Sequence, residues 1–381
     1  MLLSKKGKLL FFISEDWYFW SHRLPIARAA RDSDWNVSIA TRISSLKDNI
    51  LKENIELFPL KKFKRRIQSP LKELLSFIEV LTLYRNVRPN IVHHVALKPA
   101  IYGTIAALLT GVEGIVNAFP GMGFLFTSKN KDVLLFQQMA ILLLRFLFKS
   151  KKIKLILQNK DDLHLMLLYN VVQQDQIVLI PGSGVDTQLF KPYSESPGLP
   201  IVLLPSRMLW DKGIKEFVQA ARLLNSDYQI ARFVLVGSPD PENPASIPSD
   251  LIKKWESDGD IEWWGYQSDM PKIYTRSHIV CLPSYREGLP KVLLEAAATC
   301  RPIVTTNTQG CKDVVCQGLN GFLVPARDTD ALVAALRKLL SDSELRYSMG
   351  MKGRDIVLKE FSEEKIVRQT LDLYNNLANE R

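Results

Sequence analysis

At 381 residues the chain exceeds what one ordinary core holds and fits two domains of roughly 150–200 residues each. Its 46% hydrophobic and 24% charged residues are those of a globular protein, which excludes a disordered or low-complexity chain. The net charge of +10 is unevenly spread: residues 1–180 hold 26 Lys+Arg against 14 Asp+Glu (+12), and the remainder 24 against 26 (−2), so an anionic partner, nucleic acid or phospholipid, would meet the first half.

The first apolar run, Leu9 to Ile13, is too short for a signal peptide, and acidic Glu15-Asp16 follow where small residues would define a cleavage site. It reads as a first strand over 8–14. Further strands are expected near 36–41, 91–95, 114–118 and 154–158, with helices near 24–32, 70–85, 99–110 and 131–149 between them. Such alternation implies parallel strands with crossover helices. The most lipid-like stretch, Val133 to Phe148, is interrupted by Gln137, Gln138 and Arg145 and falls short of the ~20 apolar residues of a spanning helix. The four cysteines, Cys281, Cys300, Cys311 and Cys316, form no C-x-x-C pair, and the five histidines show no zinc spacing. A reduced, cytosolic protein is expected.

Residues 182–200 are rich in Gly, Ser and Pro without periodicity and read as a linker between an N-terminal domain (1–181) and a C-terminal one (201–361). The alternation restarts with a strand at 201–204, a helix from about Asp211, and strands at 233–236, 261–264, 279–282 and 302–306. The fold class is therefore α/β, two Rossmann-like halves expected to face each other across a cleft, with chemistry on loops beyond the carboxyl ends of the strands. A last helix, about 362–381, is expected to pack back on the first domain.

The most informative segment is Cys281-Leu-Pro-Ser-Tyr-Arg-Glu-Gly-Leu-Pro-Lys-Val-Leu-Leu-Glu295. A strand ends at Leu282, and a loop carries Glu287, Gly288 and Leu289. Pro290 suits the first turn of a helix. Gly288 admits a ligand close to the backbone, and free N–H groups at the helix start can hold phosphate or sugar oxygens. Glu295 lies about two turns into the helix, so the two carboxylates can grip hydroxyls at two points along one extended ligand.

This context resembles the E-x7-E signature of glycosyltransferase family 4, whose members have the GT-B fold. Pro205-Ser-Arg-Met-Leu-Trp-Asp-Lys-Gly213 is similar to the family's Arg-x4-Lys-Gly loop. The resemblance implies that Arg207 and Lys212 hold the donor diphosphate, where fixed cations can offset charge building on the leaving oxygens without a metal. It likewise implies that Glu287 holds the donor sugar and Glu295 the ribose. Phe233-Val-Leu-Val-Gly237, Gly265-Tyr266 (where the base packs in the family), Asn320-Gly-Phe-Leu-Val324 and Gly184-Val-Asp186…Phe190 match further family segments.

Ile91-Val-His93-His94-Val-Ala-Leu-Lys98-Pro99 and Gln158-Asn159-Lys-Asp161-Asp162 resemble bacterial transferases that extend undecaprenyl-diphosphate-linked sugars for O-antigen, capsule or glycan precursors. The resemblance sets Lys98, Asn159 and Asp162 on the acceptor side, and a histidine of the pair against the reacting sugar. A buried structural histidine is the other reading. The glycine loop Asn117-Ala-Phe-Pro-Gly121-Met-Gly123 is expected to border the acceptor. Many family members carry paired glycines after the first strand; Ser14-Glu15-Asp16-Trp17 stands there instead, so this loop is expected to contribute side chains or face the acceptor.

The reading is a retaining, metal-independent transferase with no cofactor. It would move a hexose or N-acetylhexosamine from a UDP-sugar to a polyprenyl-diphosphate-linked saccharide. A GT-B sugar-nucleotide epimerase and a non-catalytic nucleotide-sugar binder are the alternatives. Nucleic acid is not expected, since the basic residues lack interleaved aromatics and no helix-turn-helix or zinc finger accompanies them. Basic clusters at Lys61–Arg66 and Arg145–Lys154 point instead to peripheral docking on the anionic inner face of the cell membrane, with Phe63 and an exposed 133–148 helix adding shallow insertion.

Overall fold

The computed structural model describes residues 6–121 and 131–379, the side chains of residues 131–136 excepted. The chain forms two compact units, the first of residues 1–183 with 366–381 and the second of residues 184–365.

The first unit runs β1 (Gly7–Glu15), α1 (Asp16–His22), α2 (Leu24–Asp32), β2 (Trp35–Arg42), α3 (Lys47–Lys52), β3 (Glu56–Pro59), α4 (Pro70–Val87), β4 (Ile91–Val95), α5 (Leu97–Thr110), β5 (Gly114–Phe119), α6 (Lys131–Leu147), β6 (Ile153–Leu157), α7 (Lys160–Leu168) and β7 (Ile177–Leu179). Its parallel sheet has the order β3-β2-β1-β4-β5-β6-β7. Strand β1 is central and buried on both faces, so its run is apolar throughout rather than alternating. Leu10 and Phe12 join a core with α4, α5, α6 and α7. Leu9, Phe11 and Ile13 join the opposite one with α1, α2, α3 and the C-terminal helix Glu363–Asn379, which supplies Ile366, Leu373, Tyr374 and Leu377.

Phe63 belongs to the first of these cores. It is fully buried and packs edge-on against Phe12 at 4.9 Å, which corrects the expectation that it inserts into lipid. Among the described residues, no helix is long and apolar enough to cross a membrane.

The second unit contains β8 (Ile201–Pro205), a 3-10 turn (Trp210–Lys212), α8 (Ile214–Leu224), β9 (Arg232–Val236), α9 (Ser249–Ser257), β10 (Glu262–Trp263), α10 (Met270–Arg276) and β11 (Ile279–Leu282). It continues with α11 (Lys291–Ala298), β12 (Ile303–Thr306), α12 (Cys311–Val314), β13 (Gly321–Val324), α13 (Thr329–Ser341) and α14 (Ser343–Ile356). The chain then enters the C-terminal helix, α15. Its sheet is again parallel, in the order β10-β9-β8-β11-β12-β13.

Most of the stretch expected as a linker is part of this second unit. Val185 bridges to Ser362, and Phe190 packs on Tyr274 at 5.9 Å. Arg354 donates to the carbonyls of Phe190 and Thr187, and Glu195 pairs with Arg346 at 2.7 Å. Both sheets are doubly wound, with strand order reversing between β1 and β4 in the first and between β8 and β11 in the second. Ligands of such sheets sit outside the carboxyl ends of the strands at that reversal.

Candidate active site

In the second unit, the loops after β8 and β11 flank the reversal and are tied together. The amide of Tyr285 donates to the Asp211 carbonyl at 2.9 Å, and the Ser284 hydroxyl to the same oxygen at 3.1 Å. Gly213 makes this approach possible: its φ is +71°, and a Cβ there would overlap the Pro283 carbonyl. The Tyr285 hydroxyl donates to the buried carboxylate of Glu216 on α8, and the Arg327 guanidinium lies 4.5 Å from the Tyr285 ring centroid.

These ties place Lys212 Nζ 2.5 Å from Glu287 Oε1, with only 18% and 13% of the two side chains exposed. Arg207 pairs with Asp240 on the loop after β9 at 2.7 Å and is more open. Two cations and two carboxylates from three adjacent loops thus hold one another. An anion arriving there would find both cations preset and would compete with the carboxylates for them. Asp240 escaped the sequence reading; its signal was an acidic residue three after Gly237, at the end of the strand next to β8.

Glu295 lies on α11, buried, and accepts from the Tyr274 hydroxyl at 3.0 Å. Burial holds its carboxyl above the usual range, against the pull of Lys291 and Tyr274. Its other oxygen has Lys291 Nζ at 4.0 Å. Leu289 is buried, and Pro290 stands at the N-cap of α11. Gly237 spends both backbone groups internally: its amide donates to the Gly265 carbonyl, and its carbonyl accepts from Trp263 Nε1. The adjoining Tyr266 ring is 76% exposed and free to meet a flat ligand.

The first unit departs further from expectation. His93 and His94 are 1% and 0% exposed and point to opposite faces of the sheet, each into a core. His93 stacks on Phe11 and has Nδ1 2.5 Å from the Tyr374 hydroxyl. Burial, then the nearby Arg23 and His94, pushes its pKa well down. His94 lies 2.7 Å from Asn117 Oδ1 and 2.9 Å from the Tyr84 hydroxyl, and Gly103 packs so close that a Cβ would overlap the ring. Neither histidine faces an open site, which corrects their catalytic assignment.

Lys98 Nζ donates to the carbonyls of Lys64 and Arg66 and to Glu73, using all three N–H groups within the unit. Asn159 caps α7 by accepting from the Asp162 amide at 2.8 Å and donates to the Asp162 carboxylate at 3.0 Å. Both are buried, so Lys98, Asn159 and Asp162 are corrected from acceptor contacts to structural groups. Gly121 ends the described part of its loop, and Gly123 lies outside the described residues. After β1, the Asp16 carboxylate accepts from the Ser44 amide, the Ser44 hydroxyl and the Leu46 amide. That loop braces its neighbour with side chains. Among the described residues, no group of three or more His, Cys, Asp or Glu is placed to hold a metal ion.

Against known proteins, residues 8–160 match the family model described as Glycosyl transferase 4-like, and residues 185–356 match Glycosyl transferases group 1. The N,N'-diacetylbacillosaminyl-diphospho-undecaprenol alpha-1,3-N-acetylgalactosaminyltransferase of Campylobacter jejuni is 25% identical over 93% of this chain and 95% of its own. The UDP-Gal:alpha-D-GlcNAc-diphosphoundecaprenol alpha-1,3-galactosyltransferase of Escherichia coli is 26% identical over 91% and 90%. Among solved structures, Anabaena HepE in complex with UDP superposes with a TM-score of 0.77 at 16% identity, covering 97% of this chain and all of that one. This likeness establishes the GT-B fold.

Proposed function

Because this chain belongs to the glycosyltransferases, 4-like in its first half and group 1 in its second, we propose that it moves a sugar from a UDP-sugar onto a saccharide carried by a polyprenyl diphosphate, with retention of configuration. The observation that carries the site reading is the Lys212–Glu287 pair, set by the two loops at the reversal of the second sheet. In this reading Lys212 and Arg207 take the diphosphate, and Glu287 holds hydroxyls of the donor sugar. Glu295, buried on α11 with its carboxyl held above the usual range, meets the ribose, and Tyr266 packs on the base. The acceptor oxygen bonds to the anomeric carbon on the face from which the diphosphate departs, and its proton passes to the leaving phosphate oxygen. A membrane-borne acceptor places the enzyme peripherally on the inner face of the cell membrane.

The test is a panel of nucleotide sugars against polyprenyl-diphosphate-linked mono- and disaccharides, with the product linkage determined by NMR. Transfer from a UDP-sugar to at least one such acceptor with retained configuration is expected. Donor conversion without acceptor would identify an epimerase instead, and binding without turnover a non-catalytic protein.

Turnover is expected to be unchanged in EDTA, because Arg207 and Lys212 stand where a metal would otherwise offset diphosphate charge. An enzyme inactive after full chelation and restored by Mn²⁺ or Mg²⁺ would overturn this.

A further inference from the structure

Helices α4, α5 and α6 cover the same face of the first sheet. On α4, Leu71, Leu74, Leu75 and Ile78 are exposed, at spacings that put them on one side of the helix. Met139, Leu142, Leu143 and Phe146 repeat that spacing on α6, with Phe146 70% exposed. The inward sides of both helices are already packed: Val80 and Tyr84 on α4 and Ile141, Leu144 and Leu147 on α6 are core residues. The outward stripes are therefore surplus to folding, and exposed apolar surface of this kind marks an interaction site.

The charge around the α4 stripe says what it meets. The basic loop before α4 is built onto the helix by the helix's own carboxylates. Glu79 accepts from the backbone amides of Lys61, Lys62 and Phe63. Glu73 accepts from the amide of Gln68, from Tyr102 and from Lys98, and Lys98 in turn holds the carbonyls of Lys64 and Arg66. Both acidic groups of α4 are consumed in this way. Among the described residues, the side chains of Lys61, Lys62, Lys64 and Lys72 make no ion pair. What the described residues turn outward is an apolar stripe edged by unpaired cations, with the helix's own carboxylates engaged, in the half of the chain that carries +12.

We propose that the α4 stripe and its rigid basic loop form a membrane-docking surface. The leucines and Ile78 would enter the acyl boundary while the lysines meet anionic headgroups, with the α6 stripe as a second contact on the same layer. The proposal rests on the membrane-side reading above and sharpens it from charge attraction to insertion by named residues. The binding it describes has two separable parts, one screened by salt and one not.

The test uses the full chain with vesicles of 30% phosphatidylglycerol in phosphatidylcholine, or of phosphatidylcholine alone, at low and high salt. Wild type should sediment with the anionic vesicles and keep a salt-resistant bound fraction. Leu71→Gln combined with Leu74→Gln and Leu75→Gln should abolish that fraction and weaken low-salt binding at least tenfold. Neutralising Lys61, Lys62, Lys64 and Lys72 together should remove the dependence on anionic lipid. The leucine variant should retain transfer to a short-chain, water-soluble acceptor, so a failed vesicle assay is distinguishable from a wrong enzymatic reading. Wild-type vesicle binding by the leucine variant would overturn the proposal. So would a dimer in sedimentation velocity that the leucine substitutions dissociate without changing vesicle binding, since the stripe would then serve a second copy of the chain.

Discussion

Lys212→Ala is expected to lower kcat by ~10²–10³, which is ~2.7–4 kcal/mol of transition-state stabilisation, the usual cost of removing one preorganised group facing a developing anion. The position supports an effect at the upper end. Lys212 and Glu287 are withdrawn from water on interlocked loops, so their charge is screened less than that of a surface lysine. Arg207 is 45% exposed and paired to Asp240, and its removal should cost less. The fold should survive, because backbone bonds carry the loop: Tyr285 to Asp211 at 2.9 Å and Glu287 to Gln309 at 3.3 Å. The melting temperature should therefore stay within a few degrees of wild type.

Lys212→Ala also strips Glu287 of its cation, so two effects are mixed in the single variant. The double variant with Glu287→Gln separates them. If lysine and glutamate act as one unit, the double variant should be about as slow as the worse single one, rather than the product of the two losses. A kcat within threefold of wild type for Lys212→Ala, at saturating donor and with an intact fold, would remove the phosphate role.

The fold of the second half was legible because its family segments follow strand ends. Arg207, Lys212, Glu287 and Tyr266 all lie on loops, where a motif and its place in the fold coincide. The first half was less so, for physical reasons. Adjacent residues on a strand point to opposite faces, and β4 lies inside a sheet covered on both sides, so His93 and His94 are each driven into a core. Strands β3 and β7 went unread because each is short and lies at a sheet edge, and β3 ends in proline. Helix α1 has seven residues, four of them consecutive aromatics, and buries only Asp16 and Phe19, so no periodicity betrays it. Residues 184–200 look like a linker by composition, since irregular chain that packs through Val185 and Phe190 has no period either. The role of Glu79 was invisible for another reason: a side chain capping three amides 16 to 18 residues before it in the chain is fixed by the fold, not by spacing.

The first unit should lose stability as pH falls from 6.5 toward 4, through its buried histidines. His94 is satisfied as a neutral ring, with Nδ1–H donating to Asn117 Oδ1 and Nε2 accepting from the Tyr84 hydroxyl. Burial lowers its pKa to about 4, with the Asn117 hydrogen bond opposing the shift. Unfolded, the ring regains a pKa of about 6.5. A depressed folded pKa gives stability that is fully present above the unfolded value and is lost as pH falls toward the folded one, because the unfolded chain takes up the proton first. At pH 5 the loss from His94 alone is about 2 kcal/mol. His93, whose pKa is also driven down by burial, adds in the same direction. His278, likewise lowered by burial, lies in the second unit and is common to wild type and variant. Urea unfolding at pH 7.5 and at pH 5 should therefore show a fall in stability that His94→Gln reduces by about 2 kcal/mol, whatever the variant costs at neutral pH. Equal pH dependence in wild type and His94→Gln would mean that the ring is not held neutral in the core, and would reopen its assignment to a site reached by solvent.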